Sequence, residues 1–134
     1  LSLWWSGGLF LSALVLFTLW ADYRIKKAYK ALARKRPNLT KAEFQSQMQP
    51  EVSADLSAFL WDQILFYVKP ILTPHPDDNL FLDLKIDEDD VFEDWVDEWA
   101  ENAGYYENSF AHYPNDVPPT IKNFGIWLES APVC

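Results

Sequence analysis

Residues 1–21, LSLWWSGGLFLSALVLFTLWA, contain no charged side chain. Wound as a helix, a run of that length covers the ~30 Å of hydrocarbon in a bilayer. A helix apolar on every side has no face to turn toward water. As a buried core element it would need a domain large enough to cover it all round, so the run constrains the fold more than any other stretch. Trp4, Trp5 and Trp20 stand near its two ends, where interfacial aromatics are usual. In a signal peptide the basic residues would precede the apolar run; here they follow it, and no small-residue cleavage pattern stands before Asp22. The expectation is a transmembrane helix over 1–21. Among its small residues Ser6, Gly7, Gly8 and Ser12, the pair Gly8 and Ser12 has the small-xxx-small spacing of a weak homo-oligomeric helix contact.

The formal net charge of −9 hides a division. Between Asp22 and Lys41 stand Arg24, Lys26, Lys27, Lys30, Arg34, Lys35, Arg36 and Lys41, with Asp22 the only acid. Between Asp77 and Glu107 the acids accumulate against Lys85 alone. Basic residues directly after a span mark the cytoplasmic side, so the chain is expected to be single-pass in the inner (cytoplasmic) membrane with its C-terminal domain in the cytoplasm. The same cations suit anionic headgroups as well as a solvated face. The acidic half repels phosphates, which argues against nucleic acid as a partner. Cys134 is the only cysteine, so no internal disulfide and no cysteine-based metal site forms, in keeping with a reducing compartment. The chain begins at Leu1 rather than Met, as expected of a fragment or an unusual start.

The densest acidic stretch is also helical in pattern. Phe92, Trp95, Val96, Trp99, Ala100 and Ala103 follow the i, i+3, i+4, i+7 spacing of one buried face, and Asp90, Asp94, Asp97 and Glu101 form the opposite stripe. Like-charged i,i+4 pairs cost roughly 0.2–0.5 kcal/mol each, about 1–2 kcal/mol together. Burying Phe92, Trp95 and Trp99 contributes roughly 1.5–3 kcal/mol apiece. Packing wins, and the acids are tolerated rather than required for folding. Asp87 is the expected N-cap, with negative charge favoured in the first turn, and Gly104 the C-cap.

The remaining pattern is all-α. Residues 22–36 continue the first helix, with Ile25, Ala28, Tyr29 and Leu32 on one face. Pro37 ends it, and 37–39 is expected to be a hinge. Thr40 and Glu43 make a capping box for a short helix carrying Phe44 and Met48. Pro50 suits the first turn of a core helix over 51–68, whose apolar face holds Leu56, Phe59, Leu60, Ile64 and Val68, flanked by Trp61, Leu65 and Phe66. A proline-punctuated loop (71–79), an irregular aromatic connection (105–119) and a short helix (120–129) complete the chain. The domain reading is a transmembrane helix at 1–21, a basic juxtamembrane helix and hinge at 22–39, and an acidic cytoplasmic helical domain at 40–134.

Sites for chemistry are sparse. Asp87, Asp89, Glu93 and Glu98 fall at positions 1, 3, 7 and 12 of a calcium-loop count, but position 6 is Phe92 rather than Gly and Val91 occupies a ligand position. His75 with Asp77 and Asp78, and His112 with Asp116, lack a third spaced donor and read as surface histidines. No nucleophile motif or Gly-rich phosphate loop is present. Trp61, Trp95, Trp99 and Trp127 have the spacing of core residues in preference to a ligand pocket. No catalytic residue, metal or cofactor is expected.

A long helix, a loop with Thr73-Pro74 and Asp77-Asp78, then Leu80-Phe81, Asp83-Leu84 and an acidic helix opened by Asp87 follow in an order that resembles the acyl carrier proteins. The run Asp83-Leu84-Lys85-Ile86-Asp87-Glu88-Asp89-Asp90 is similar to that of a family of small uncharacterised enterobacterial proteins with an acyl-carrier-like fold. The resemblance spans about 54–129 and implies a small acyl-carrier-like helical bundle in a bacterial protein. Carrier proteins attach phosphopantetheine to a serine directly after an Asp; here Glu88 follows Asp87, and no serine stands between Ser57 and Ser109. The resemblance therefore implies the fold, and an acidic surface for basic partners, without the carrier chemistry.

These readings converge on a non-enzymatic, membrane-anchored domain that binds the basic surface of a protein through Asp87, Glu88, Asp90, Glu93, Asp94, Asp97 and Glu101. The alternative is a carrier or lipid-handling protein in fatty-acyl metabolism.

Overall fold

Between Leu9 and Arg36 the chain has neither glycine nor proline, and a single helix, α1, runs unbroken through Ser2–Lys35, stopping before Pro37. A computed structural model describes residues 2–104 and 110–130, with side chains from Gly8 onward. Expectations that concern the side chains of Trp4, Trp5, Ser6 and Gly7, or that concern Tyr105, Tyr106 and Cys134, lie outside the described residues. Every regular element among the described residues is helical.

The two ends of α1 have opposite surroundings. Leu9, Leu11, Val15, Phe17 and Leu19 are each more than half exposed, and the most apolar window of the helix has none of its surface buried in the fold; it is long and apolar enough to cross a membrane. The Thr18 hydroxyl donates to the Leu14 carbonyl one turn back, which satisfies it within the helix. Three turns on, the helix enters the core. Tyr29 is buried, donating its hydroxyl to the Leu84 carbonyl, and Leu32 and Ala33 pack beside it.

Arg36 then pins the helix end. Its Nε and Nη2 donate to the two carboxylate oxygens of Asp78 at 2.7 and 2.6 Å, and Nη2 also donates to the Thr73 carbonyl at 2.9 Å. Leu39 is buried and its carbonyl accepts from the Thr73 hydroxyl. Residues 37–39, expected to hinge, are therefore held on both sides. Packing of the helical domain begins at Ala28 and Tyr29, inside the segment read as juxtamembrane.

Helix α2, Lys41–Met48, opens with the Thr40/Glu43 capping box and buries Phe44 and Met48, as expected. Helix α3 is Ala54–Val68 and not 51–68. Pro50 follows a cis peptide bond, Val52 is drawn wholly into the core, and the hydroxyl of Ser53 caps the helix by accepting from the Leu56 amide. Leu56, Leu60, Ile64 and Val68 form the buried stripe, whereas Phe66 is 74% exposed.

The proline-rich 71–79 segment runs through the interior. Leu72 is buried, and Asp78, 2% exposed, accepts the Arg36 guanidinium and the His75 amide through its carboxylate while its carbonyl accepts from the Ile121 amide. Amides of Leu80 and Lys122 donate to Pro119 and Pro76, and Asn79 and Thr120 form an isolated antiparallel bridge. This short pairing sets the start of α5, Ile121–Ser130. Gly125 lets α5 sit close, since a Cβ there would lie 3.0 Å from Val52 and 3.1 Å from Met48. Residues 79–86 close in a tight turn with Lys85 left-handed at φ 58°, which lets the Ile86 amide reach the Leu80 carbonyl. The acidic helix follows.

Removing one partner of a buried pair leaves the other charge without compensation. Arg36→Ala and Asp78→Ala are each expected to destabilise the domain by roughly 3–5 kcal/mol, and the double variant Arg36→Met/Asp78→Leu to recover most of that loss. Urea unfolding in detergent, followed by tryptophan fluorescence, measures all three; additive losses would contradict a coupled pair.

Candidate protein-docking surface

The acidic helix opens where expected. Asp87 accepts the Asp89 amide on its side chain at 2.9 Å, and helical geometry runs from Glu88. Residues Asp90–Trp95 form a π-helical turn before α4, Val96–Ala103, which ends on Gly104 at φ 80°. A π turn bonds i to i+5 and inserts one residue relative to an α-helix. The insertion brings Val91 into the core beside Trp95, Val96 and Ala100. Val91 was not on the sequence stripe, and two residues that were, Phe92 and Trp99, are only partly buried, while Ala103 is exposed. Trp99 packs on Phe59 with ring centroids 5.4 Å apart and the planes tilted by 50°. Trp61 and Trp95 are core residues.

The same insertion rearranges the acids. Asp87, Glu88, Glu93, Asp94, Asp97 and Glu101 are exposed. Asp90, expected at the head of the exposed stripe, is half-buried and accepts the Tyr67 hydroxyl at 2.9 Å. Glu98 accepts from the Gln63 side chain at 2.9 Å. Lysine and arginine ion pairs among the described residues join Lys26 to Asp22, Arg36 to Asp78, Lys41 to Asp62 and Lys122 to Glu51, and none reaches an acid of this helix. The surface is thus an unneutralised band of carboxylates on a helix whose shape is set by Val91, Trp95 and Val96 underneath.

Burial and the Asp90 carboxylate, with the charges of Asp94 and Asp87 behind it, push the Tyr67 phenol up to about 12. Burial alone raises Tyr29 and Tyr113. At the hub below, burial pushes the Asp78 carboxyl above its ordinary value against the opposing pull of Arg36. His75, read as a surface residue, has a side chain only 12% exposed and accepts the Asp77 amide on Nδ1 at 3.1 Å; His112 is exposed. No group of His, Cys, Asp and Glu among the described residues is placed to hold a metal ion, and the calcium count fails physically because Val91 is core.

One flank of the helix borders a groove of about 530 Å³. Phe92 lines it, tilted against Phe81 at 5.6 Å and Tyr113 at 5.6 Å, with Trp127 edge-on at 6.4 Å. Glu88 and Asp97 are its carboxylates. Sequence reasoning missed it, because its far wall is the irregular 110–119 segment, whose aromatic content was the only signal. Trp127, expected in the core, is half-buried at this wall, and its indole N–H has no hydrogen-bond partner among the described residues.

Comparison with protein-family models, with curated proteins and with solved structures finds no match to this chain.

The folded state keeps the Tyr67 proton to about 12, whereas an unfolded tyrosine releases it near 10.0. The unfolded state therefore loses the proton first, and stability falls as pH rises through that window. In Tyr67→Phe, phenolate absorbance is expected to lose its highest-pH step and stability to decline less steeply over the same range. An unchanged absorbance titration would show that Tyr67 ionises like a free phenol.

Proposed function

We propose that this chain is a non-enzymatic docking protein: a single-pass anchor in the inner (cytoplasmic) membrane holds a cytoplasmic helical domain that binds the basic surface of a protein partner through its acidic helix. The observation that carries this reading is the set of exposed carboxylates at Asp87, Glu88, Glu93, Asp94, Asp97 and Glu101, none of them paired with a cation among the described residues. Folding does not need these charges. Their mutual repulsion is relieved when a basic surface approaches, which raises the rate of encounter and rejects acidic partners.

Support for the anchor comes from the surroundings of α1. The apolar side chains from Leu9 to Trp20 are exposed on all sides, a surface that a bilayer covers. At the end of this run the Arg24 guanidinium stacks 4.8 Å from the Trp20 ring, an aromatic and a cation suited to the depth where headgroups lie. The basic residues that follow orient the domain to the cytoplasm. The acyl-carrier resemblance is kept as part of the proposal: the Thr73-Pro74 loop, the Asp87 cap and the acidic helix keep that order, and Glu88 stands where a carrier would need serine. That replacement favours docking over acyl carriage.

Two outcomes are expected. The full chain stays with membranes through a carbonate wash, and protease digests its domain in inside-out vesicles only; release by carbonate, or digestion in right-side-out vesicles, overturns the anchor or its orientation. Second, Glu93, Asp94, Asp97 and Glu101 changed together to Lys weaken recovery of partners crosslinked in membranes by more than about tenfold, with little change in melting, since four lysines repel one another about as the acids did. Wild-type recovery falls as salt shortens the Debye length below ~8 Å. Equal recovery by both proteins overturns the docking surface.

A further inference from the structure

The groove beside the acidic helix supplies what a charged band alone lacks, a place to bury an apolar side chain. We propose that it is the anchor site of the docking surface and takes an extended peptide segment of the partner in which two cationic residues, four apart, flank one large apolar residue. This rests on the docking role proposed above and adds the shape of the segment that docks.

The spacing comes from the helix. Glu88 and Asp97 both line the groove and stand nine residues apart; regular winding at ~1.5 Å per residue would separate them by ~13–14 Å along the axis, and the wider π turn between them brings this to about 12 Å. Neither pairs with a cation among the described residues. An extended chain advances ~3.3 Å per residue, so positions i and i+4 span about 13 Å, and i, i+2 and i+4 project to one face. Cations at i and i+4 then meet Glu88 and Asp97 while i+2 enters the aromatic floor formed by Phe81, Phe92 and Trp127, with Tyr113 closing the side.

At about 530 Å³ the groove has room for one large apolar side chain. The aromatic floor also adds cation–π attraction for arginine at either end. A fatty acyl carboxylate, by contrast, meets two carboxylates of its own sign.

The test uses the full chain in phosphatidylcholine nanodiscs, whose neutral surface does not hold a cationic probe, and a fluorescein-labelled peptide Gly-Arg-Ser-Trp-Ser-Arg-Gly read by anisotropy at low salt. Replacing the peptide tryptophan with serine is expected to weaken binding about tenfold or more. Placing the two arginines side by side, or changing Glu88→Gln or Asp97→Gln in the protein, is expected to weaken it about two- to fivefold each. Ala111→Trp fills the groove from an exposed wall position and should abolish binding without altering melting or the outer carboxylates. If that variant binds the peptide as well as wild type, or if arginine spacing and the central tryptophan make no difference, the groove is not the anchor site. The outer acidic face then remains a docking surface only if reversing Asp94 and Glu101 still removes binding. Octanoate binding as tightly as the peptide, competitive with it, would also overturn the proposal; no binding of any cationic peptide would overturn both readings.

Discussion

The carboxylate of Asp78 holds this structure together. It lies on the proline-rich segment, takes the end of α1 through Arg36, and presents its own carbonyl to the first amide of α5. An isolated carboxylate buried to this degree would be strongly unfavourable; the two-pronged guanidinium contact and the His75 amide make it tolerable. Such a pair contributes less to net stability than to arrangement, because an apolar replacement of the same shape is often as stable. What it specifies is where α1 leaves the domain and where α5 begins. The groove wall, built from Trp127 of α5 and the residues before that helix, inherits its position from this contact.

A second constraint acts inside the acidic helix. Repulsion between neighbouring carboxylates disfavours regular winding by tenths of a kcal/mol per pair, whereas each large apolar residue brought to the core contributes more than that. The π turn is the compromise. It lets Val91 share the inner face with Val96 and Ala100, at the expense of the regular exposed stripe, and it turns Asp90 toward Tyr67. Packing thus decides which carboxylates face solvent.

Charge is separated along the chain as well as balanced. Cations gather on the helical stretch just after the apolar run, and the carboxylates on a helix reached only after the chain has folded back through α2 and α3. Tyr29 ties the turn before the acidic helix directly to α1, so the acidic helix is carried on a short, packed connection instead of a free tether.

Much of this was legible in the residues, for local reasons. The uncharged run to Ala21, the Thr40/Glu43 box, the Asp87 cap, the Gly104 stop and the helical periodicity of Leu56 to Val68 each depend on side chains within a few positions, and the structure carries each of them. Three-dimensional contacts decided the rest. No local pattern says that Arg36 will find Asp78, that a loop rich in proline will be interior, or that residues 37–39 will be pinned. Pro50 is a competent helix starter by its own geometry, yet burial of Val52 moved the helix start to Ser53. The π insertion shifted which acids face out, because the core rewards apolar contact irrespective of the heptad-like count. The groove was invisible for the same reason: its aromatics come from the 80–86 turn, the acidic helix, the 110–119 segment and α5, and only the fold makes them neighbours.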